Sequence, residues 1–174
     1  IVRHVSDIGR MVDEFSSFAR MPAPQMREED LRRLLREAVV LQDTGQAGIR
    51  FELEMPNKAV LRPLDAAQIN RALTNILKNA AESVEARLAA DREAGHEPEP
   101  GLIQVVLTEV EDGWAIEVTD NGRGLPRENR ERLTEPYVTT REKGTGLGLA
   151  IVKKIMEDHG GDLILADNPA GQGA

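Results

Sequence analysis

The sequence of 174 residues contains no cysteine. Disulfide scaffolds and thiolate metal sites are therefore excluded, and a reducing compartment is compatible with the chain. Aromatic residues are few: Trp114, Tyr137 and three phenylalanines. A core has to be built from Leu, Ile, Val and Ala instead. No apolar run approaches the ~18 residues that a membrane helix needs. A basic surplus is also missing. The formal net charge is −8, which argues against a nucleic-acid partner, because such proteins gather Lys and Arg on one face. An acidic domain that binds a polyanion must offset the repulsion with a metal ion, a helix N-terminus or local basic residues. The start, Ile1-Val2-Arg3-His4, carries no initiator Met and no signal-peptide pattern, and reads as a cut inside a longer protein.

What is present suits one ordinary soluble domain with an appended element. Ile1, Val5, Ile8, Val12, Phe15 and Ala19 recur in alternating steps of four and three, a heptad seam that Met11 and Phe18 widen. A lone helix cannot bury such a face, so this one must pack in a bundle or against a partner. Met21-Pro22-Ala23-Pro24 ends it and marks a boundary between residues 1–22 and 23–174. Beyond it, a helix is expected from Asp30 to Leu41, and a half-buried strand from Ile49 to Met55, with a short strand near Ala59–Leu61. Asp65-Ala-Ala-Gln68 reads as a capping box opening a long helix to about Leu88. Leu102–Val110 and Trp114–Thr119 form a hairpin signal around Glu111-Asp112-Gly113. A Gly-, Arg- and Glu-rich loop over 121–145 follows, a length usually reserved for function. Leu147 to His159 is a helix stopped by Gly160-Gly161, and Asp162 to Ala166 begins a strand. This order predicts an α+β sandwich with helices on one face of a mixed sheet.

Three constellations carry chemistry. Asn75 and Asn79 lie one turn apart on a polar strip beside the apolar face Ile69, Ala72, Leu73, Ile76, Leu77, Ala80 and Val84. A carboxamide oxygen is a neutral hard ligand that can complete a magnesium shell when phosphates supply the charge. Taken singly, two exposed asparagines on a solvated face are the ordinary reading. Asp120-Asn-Gly122-Arg-Gly124 follows a strand directly. An ionised carboxylate only accepts hydrogen bonds, so it suits the exocyclic amine of adenine and repels the carbonyl of guanine. Asp-Asn-Gly is also a common turn. A calcium loop fails, because Gly122 and Gly124 would stand where side-chain oxygens are needed. Gly144-Thr145-Gly146-Leu147-Gly148 opens an amphipathic helix, whose amides make an anion site. Its spacing matches neither a P-loop nor a Rossmann turn.

In this order the three resemble the GHKL ATPase superfamily, and most closely its histidine kinases of the NtrY type. Asn75–Asn79 is similar to the N box, Asp120–Gly124 to the G1 box, Glu135-Pro136-Tyr137 to the F box and Gly144–Gly148 to the G2 box. Residues 7–22 resemble the second dimerisation helix of such kinases. The resemblance implies a two-layer α/β sandwich of the Bergerat type, with an N-terminal bundle helix. It implies ATP and Mg2+ as ligands, with Asn79 on the metal and Asn75 supporting the phosphates. Asp120 would hold the adenine amine, while Gly122 and Gly124 let the chain pass the base. Tyr137, Arg141, Lys143, Gly144, Thr145, Gly146, Leu147 and Gly148 would line the nucleotide, Arg141 and Lys143 at its phosphates. Two positions depart from the family. Tyr137 replaces the usual Phe, and Glu82 stands where many kinases have a basic residue, a loss that Lys78 would have to offset.

A histidine kinase moves phosphate to a histidine set in His-Glu/Asp…Asn-Pro. His4, His96 and His159 lack that setting, so the chain is expected to bind Mg-ATP without phosphorylating itself. The implied partners are the acceptor helix of its own dimerisation region, a second copy in the full-length protein and a response regulator. The implied setting is the cytoplasmic side of an inner-membrane protein. Two rivals stand beside this reading. One is an ATPase of the gyrase, Hsp90 or MutL kind, which carries a Glu base where this chain has Asn75. The other is a non-catalytic nucleotide-sensing module.

Overall fold

A computed structural model describes residues 9, 12–13, 15–46, 48–126, 128–138 and 144–174. In chain order the elements are β1 (Arg27–Asp30), α1 (Leu31–Asp43), β2 (Ile49–Glu54), β3 (Leu61–Leu64), α2 (Ala66–Glu93), β4 (Gly101–Val110), β5 (Gly113–Asp120), a 3-10 turn (Arg130–Thr134) and α3 (Gly148–Asp158). Residues 15–19 are also helical. The main sheet has the order β2-β4-β5. The β2–β4 pair is parallel, with Phe51 opposite Ile103, and the β4–β5 pair is antiparallel, with Leu107 opposite Ile116. The sheet is therefore mixed, as the sequence predicts. A separate two-stranded ribbon pairs β1 with β3.

Alternation places the core. Along β4 the buried side chains are Ile103, Val105 and Leu107, while on β5 Trp114, Ile116 and Val118 share the face packed against the helices. Onto that face α2 lays Leu73, Leu77, Ala81, Val84 and Leu88, and α1 adds Leu34 and Leu35, both fully buried. Helix α3 closes the layer with Ile151, Val152 and Ile155. Core volume comes from branched aliphatics because the chain has almost no aromatic residues to offer.

Several expectations change in detail. Asp30 lies outside α1 as its N-cap, its carboxylate accepting from the Arg32 N–H at 3.1 Å. The capping box at α2 is half formed. Asp65 accepts from the Ala67 and Gln68 N–H groups, but the Gln68 amide donates to the Pro22 carbonyl at 2.9 Å instead of turning back. The Asp65 N–H goes to His159 Nε2 at 3.1 Å. Helix α2 runs to Glu93, carried past Leu88 by the alanines at 89 and 90 and by the Arg87–Asp91 ion pair. The short strand expected at Ala59–Leu61 forms at Leu61–Leu64, because Val60 caps α1 by accepting from the Leu31 N–H. No strand forms at Asp162–Ala166. Leu163 and Leu165 turn inward and Ile164 outward, but no neighbouring backbone among the described residues completes a ladder. Of the heptad seam, Ile1, Val5, Ile8 and Met11 lie outside the described residues. Val12 and Phe15 are exposed, whereas Phe18 and Met21 pack on the core. No helix among the described residues is long and apolar enough to cross a membrane.

Candidate functional site

The strip on α2 is the wall of the site. Asn75 donates its amide to the Arg71 carbonyl at 2.9 Å, which turns its oxygen outward from the helix. That oxygen lies 3.2 Å from where a Cβ on Gly148 would sit, and the Asn79 amide nitrogen lies 3.7 Å from the same point. The first turn of α3 therefore abuts both asparagines, and a side chain on Gly148 would fill the space between them. Leu147, the N-cap residue of α3, supplies no capping side chain and is itself fully buried. The N-terminal end of α3 thus lies against this strip, and the partial positive charge of a helix N-terminus favours an anion.

One turn beyond Asn79, the same strip meets the other motif. Period-two alternation puts Asp120 on the helix-facing side of β5, with Trp114, Ile116 and Val118. It is 6% exposed, so an ionised carboxylate there must be bonded. Its Oδ1 accepts from the Gly122 N–H at 2.7 Å. Its backbone is held as well: the N–H donates to the Ala174 carbonyl at 2.7 Å, and the carbonyl accepts from the Asn168 amide at 3.0 Å. Gly122 is pressed on α2, where a Cβ would lie 2.2 Å from Ser83 Oγ. Gly124 has φ +78 with the Gly173 carbonyl alongside, a conformation suited to glycine. Asn121 is structural. Its side chain clamps β4 by accepting from the Leu102 N–H and donating to the Pro100 carbonyl.

The glycine loop is braced by Tyr137. The Tyr137 N–H donates to the Gly146 carbonyl at 3.0 Å, and both residues take left-handed conformations, φ 67 and φ 69. A Cβ on Gly146 would lie 2.6 Å from the Tyr137 carbonyl carbon. The Tyr137 ring is exposed and stacks at a tilt on Phe15, 5.8 Å between centroids. Thr145 Oγ1 is 3.5 Å from the Leu147 N–H, and Gly144 precedes it, half-buried. Arg141 and Lys143 lie outside the described residues, as does His4. Lys78 is exposed and pairs with Glu82 at 3.8 Å. His159 Nε2 accepts from the Asp65 N–H at 3.1 Å and Nδ1 lies 2.8 Å from the Ile155 carbonyl, contacts that give the ring a structural role. Two cavities, of about 430 and 310 Å³, lie away from this wall, beside Arg50 and Pro100 and beside Arg130 and Lys153.

Two positions escaped the motif reading. Ser83 continues the strip Asn75–Asn79 at the next four-residue step, and that spacing is its signal. Arg87 is 5% exposed on the same helix, where it pairs with Asp91 one turn on and holds the loop before β4 through the Glu99 carbonyl. Nothing in its local sequence separates it from the surface arginines.

A sandwich of helices on one face of a mixed sheet, with a carboxamide-bearing central helix facing a glycine-rich helix mouth, is the architecture of a GHKL-type nucleotide-binding domain. Residues 64–174 match the family model HATPase_c, described as histidine kinase-, DNA gyrase B-, and HSP90-like ATPase. The chain belongs to this family. It is 52% identical over its whole length to the nitrogen regulation protein NtrY of Azorhizobium caulinodans, covering 22% of that protein. It is 40% identical over 98% of its length to a putative sensor histidine kinase NtrY-like of Rickettsia conorii, covering 26% of it. The chain thus spans about a quarter of the length of these curated relatives. Among solved structures it resembles the mycobacterial sensor histidine kinase MprB, with 28% identity and TM-score 0.66 over 84% of this chain and 89% of that one. It also resembles histidine kinase ThkA in complex with response regulator protein TrrA, with 26% identity and TM-score 0.71 over 96% of this chain and 45% of that one. The fold is that of the catalytic ATP-binding domains of sensor histidine kinases, and membership implies a nucleotide substrate.

Proposed function

We propose that residues 23–174 bind Mg-ATP and aim its γ-phosphate at a histidine on a dimerisation region, of which residues 1–22 are the second helix. The observation that carries this is the single strip Asn75–Asn79–Ser83. One end touches the mouth of α3 and the other touches the Asp120 turn. Eight residues of helix span about 12 Å, a distance that one nucleoside triphosphate bridges from base to terminal phosphate. Asp120 accepts the adenine amine, and Gly122 and Gly124 let the backbone pass the base. The amides of Gly146, Leu147 and Gly148, with Gly144 and Thr145, hold the phosphates, and Tyr137 braces that loop. Asn75 steadies the phosphates and Asn79 ligates the metal. Arg141 and Lys143 are assigned to the phosphates by their place beside the loop. Among the described residues no three His, Cys, Asp or Glu side chains gather to hold a metal. The donor set therefore fits a Mg2+ that arrives with its phosphates and takes one carboxamide oxygen from the protein. When bound, the ion spreads the charge of the transferring phosphoryl group.

Asn75 also decides between transfer and hydrolysis. A carboxamide is no base, so position 75 offers no carboxylate to activate water, and the domain is a phosphotransferase in preference to an ATPase. The acceptor is a histidine-bearing helix of the parent protein, which functions as a dimer anchored in the inner membrane and passes phosphate to a response regulator. One experiment tests this. The domain is incubated with γ-labelled Mg-ATP, with and without a helical bundle carrying the acceptor histidine. Label should reach the bundle as acid-labile phosphate and should not appear on the domain alone. Asp120→Asn should weaken Mg-ATP binding about tenfold, the scale of a charge-assisted hydrogen bond. Rapid release of phosphate to water without a bundle would instead favour the gyrase-like reading.

A further inference from the structure

Ser83 joins α2 to the carboxylate that reads the base. Its Oγ accepts from the Arg123 N–H at 3.1 Å. The preceding amide of the same turn, the Gly122 N–H, donates to Asp120 Oδ1 at 2.7 Å. The two amides on either side of the Gly122 Cα thus form a short bridge, one bonded to the Asp120 carboxylate and the next to the helix. A point in space shows how tightly this closes: a Cβ on Gly122 would lie 2.2 Å from Ser83 Oγ and 2.7 Å from Asp120 Oδ1. Only a residue without a side chain lets the turn come near enough for the serine to reach it. Arg123 adds a second attachment through its Nε–H to the Ala86 carbonyl at 3.1 Å, so the turn stays on the helix even when one link is cut.

We propose that Ser83 is a positioning residue for adenine recognition: by holding the Gly122–Arg123 turn on α2 it sets the direction of the Asp120 carboxylate toward the 6-amino group of the base. The proposal rests on the reading of Asp120 as the adenine contact. A hydrogen bond at a half-exposed hydroxyl contributes little to global stability. Its value lies in orientation, because a carboxylate oxygen that accepts from the Gly122 amide turns with that amide when it moves. Ser83 acts through Asp120, so its loss should be felt by ligands that present the amine and not by those that lack it.

The test compares Mg-ATP with the Mg complex of purine riboside triphosphate, which is ATP without the 6-amino group, by titration calorimetry. Ser83→Ala keeps a strong helix former at the position, and its thermal midpoint should stay within about 2 °C of the wild type. Its Kd for ATP should rise about five- to tenfold, while its Kd for the analogue stays within about twofold of wild type. Equal weakening toward both ligands would make Ser83 a general structural residue and overturn the proposal. Unchanged ATP affinity in Ser83→Ala would overturn it too. A wild type that binds both ligands equally would remove Asp120 from the amine and take the proposal with it, an outcome separate from the first two.

Discussion

Gly146 and Gly148 sit two positions apart yet respond differently to the same added methyl group. At Gly146 the backbone is left-handed, and the methyl would meet the Tyr137 carbonyl carbon at 2.6 Å and the Val138 nitrogen at 2.8 Å. Both neighbours are backbone and cannot rotate away, and the left-handed conformation itself costs about 1–2 kcal/mol for an alanine. At Gly148 the nearest atom is the Asn75 side-chain oxygen at 3.2 Å, which can give by a few tenths of an ångström. The position is helical, where alanine gains about 1 kcal/mol over glycine. Gly146→Ala should therefore lower the thermal midpoint and nucleotide affinity together. Gly148→Ala should leave stability equal or higher while weakening Mg-ATP binding about tenfold, because on the proposed function the displaced Asn75 oxygen faces the phosphates. Paired thermal melts and titrations check both. A Gly148→Ala protein that binds normally would mean that the asparagine wall does not face the ligand.

At the scale of elements, the start of α2 is a junction that pH can open. The Asp65 carboxyl is held below the ordinary carboxylate range, first by the Gln25 N–H, then by the Gln68 and Ala67 amides, with the nearby His159 adding a smaller effect. A carboxyl whose pKa falls on folding stabilises the native state above its unfolded value, near 3.8, and loses that contribution as the pH drops through its folded value. Asp65→Ala should cost about 1–2 kcal/mol at pH 7 by urea unfolding, the usual worth of an N-cap. The gap to wild type should close as the pH falls below the carboxylate range, and a gap that persists there would show that the charge is not what caps the helix. This element also shows what the sequence can reveal. Asp65 and the apolar face of α2 are local signals, and so is the alternation that sets Asp120 at the end of β5 on the helix side. The three boxes were legible because each is a short run with its own chemistry. The destinations of Gln68 and of the Asp65 N–H were not, since Pro22 and His159 lie 46 and 94 residues away. The ribbon of β1 with β3 was missed for the same reason: Arg27-Glu-Glu-Asp30 has no strand-like alternation, and only its partner makes it a strand.

For the molecule as a whole, the question is how residues 15–25 sit on the sandwich. Pro22 and Pro24 mark a linker in the sequence that would let the domain swing. In the structure it is tied down. Phe18 and Met21 pack on the core, the Pro22 carbonyl accepts from the Gln68 amide, and the Gln25 N–H donates to Asp65 Oδ2 at 2.8 Å. Phe15 reaches across to Tyr137, which braces the glycine loop. Motion of residues 15–21 is therefore coupled to the first turn of α2 and to the glycine loop, and on the proposed function the tether has to release for the domain to reach an acceptor. Gln68 is the residue that separates tether from fold. Its amide makes the bond to Pro22, while its buried Oε1 has no hydrogen-bond partner among the described residues. Gln68→Met removes the bond and the unsatisfied oxygen together and keeps length and helix propensity, so global stability should change by less than about 1 kcal/mol. Local opening should rise instead. Hydrogen exchange should show the Met21 and Gln25 amides exchanging about five- to tenfold faster, with the Leu77 amide in the middle of α2 unchanged. Equal acceleration at all three would mean that the linker is part of the cooperative core, and domain movement would then require partial unfolding and not release of a tether.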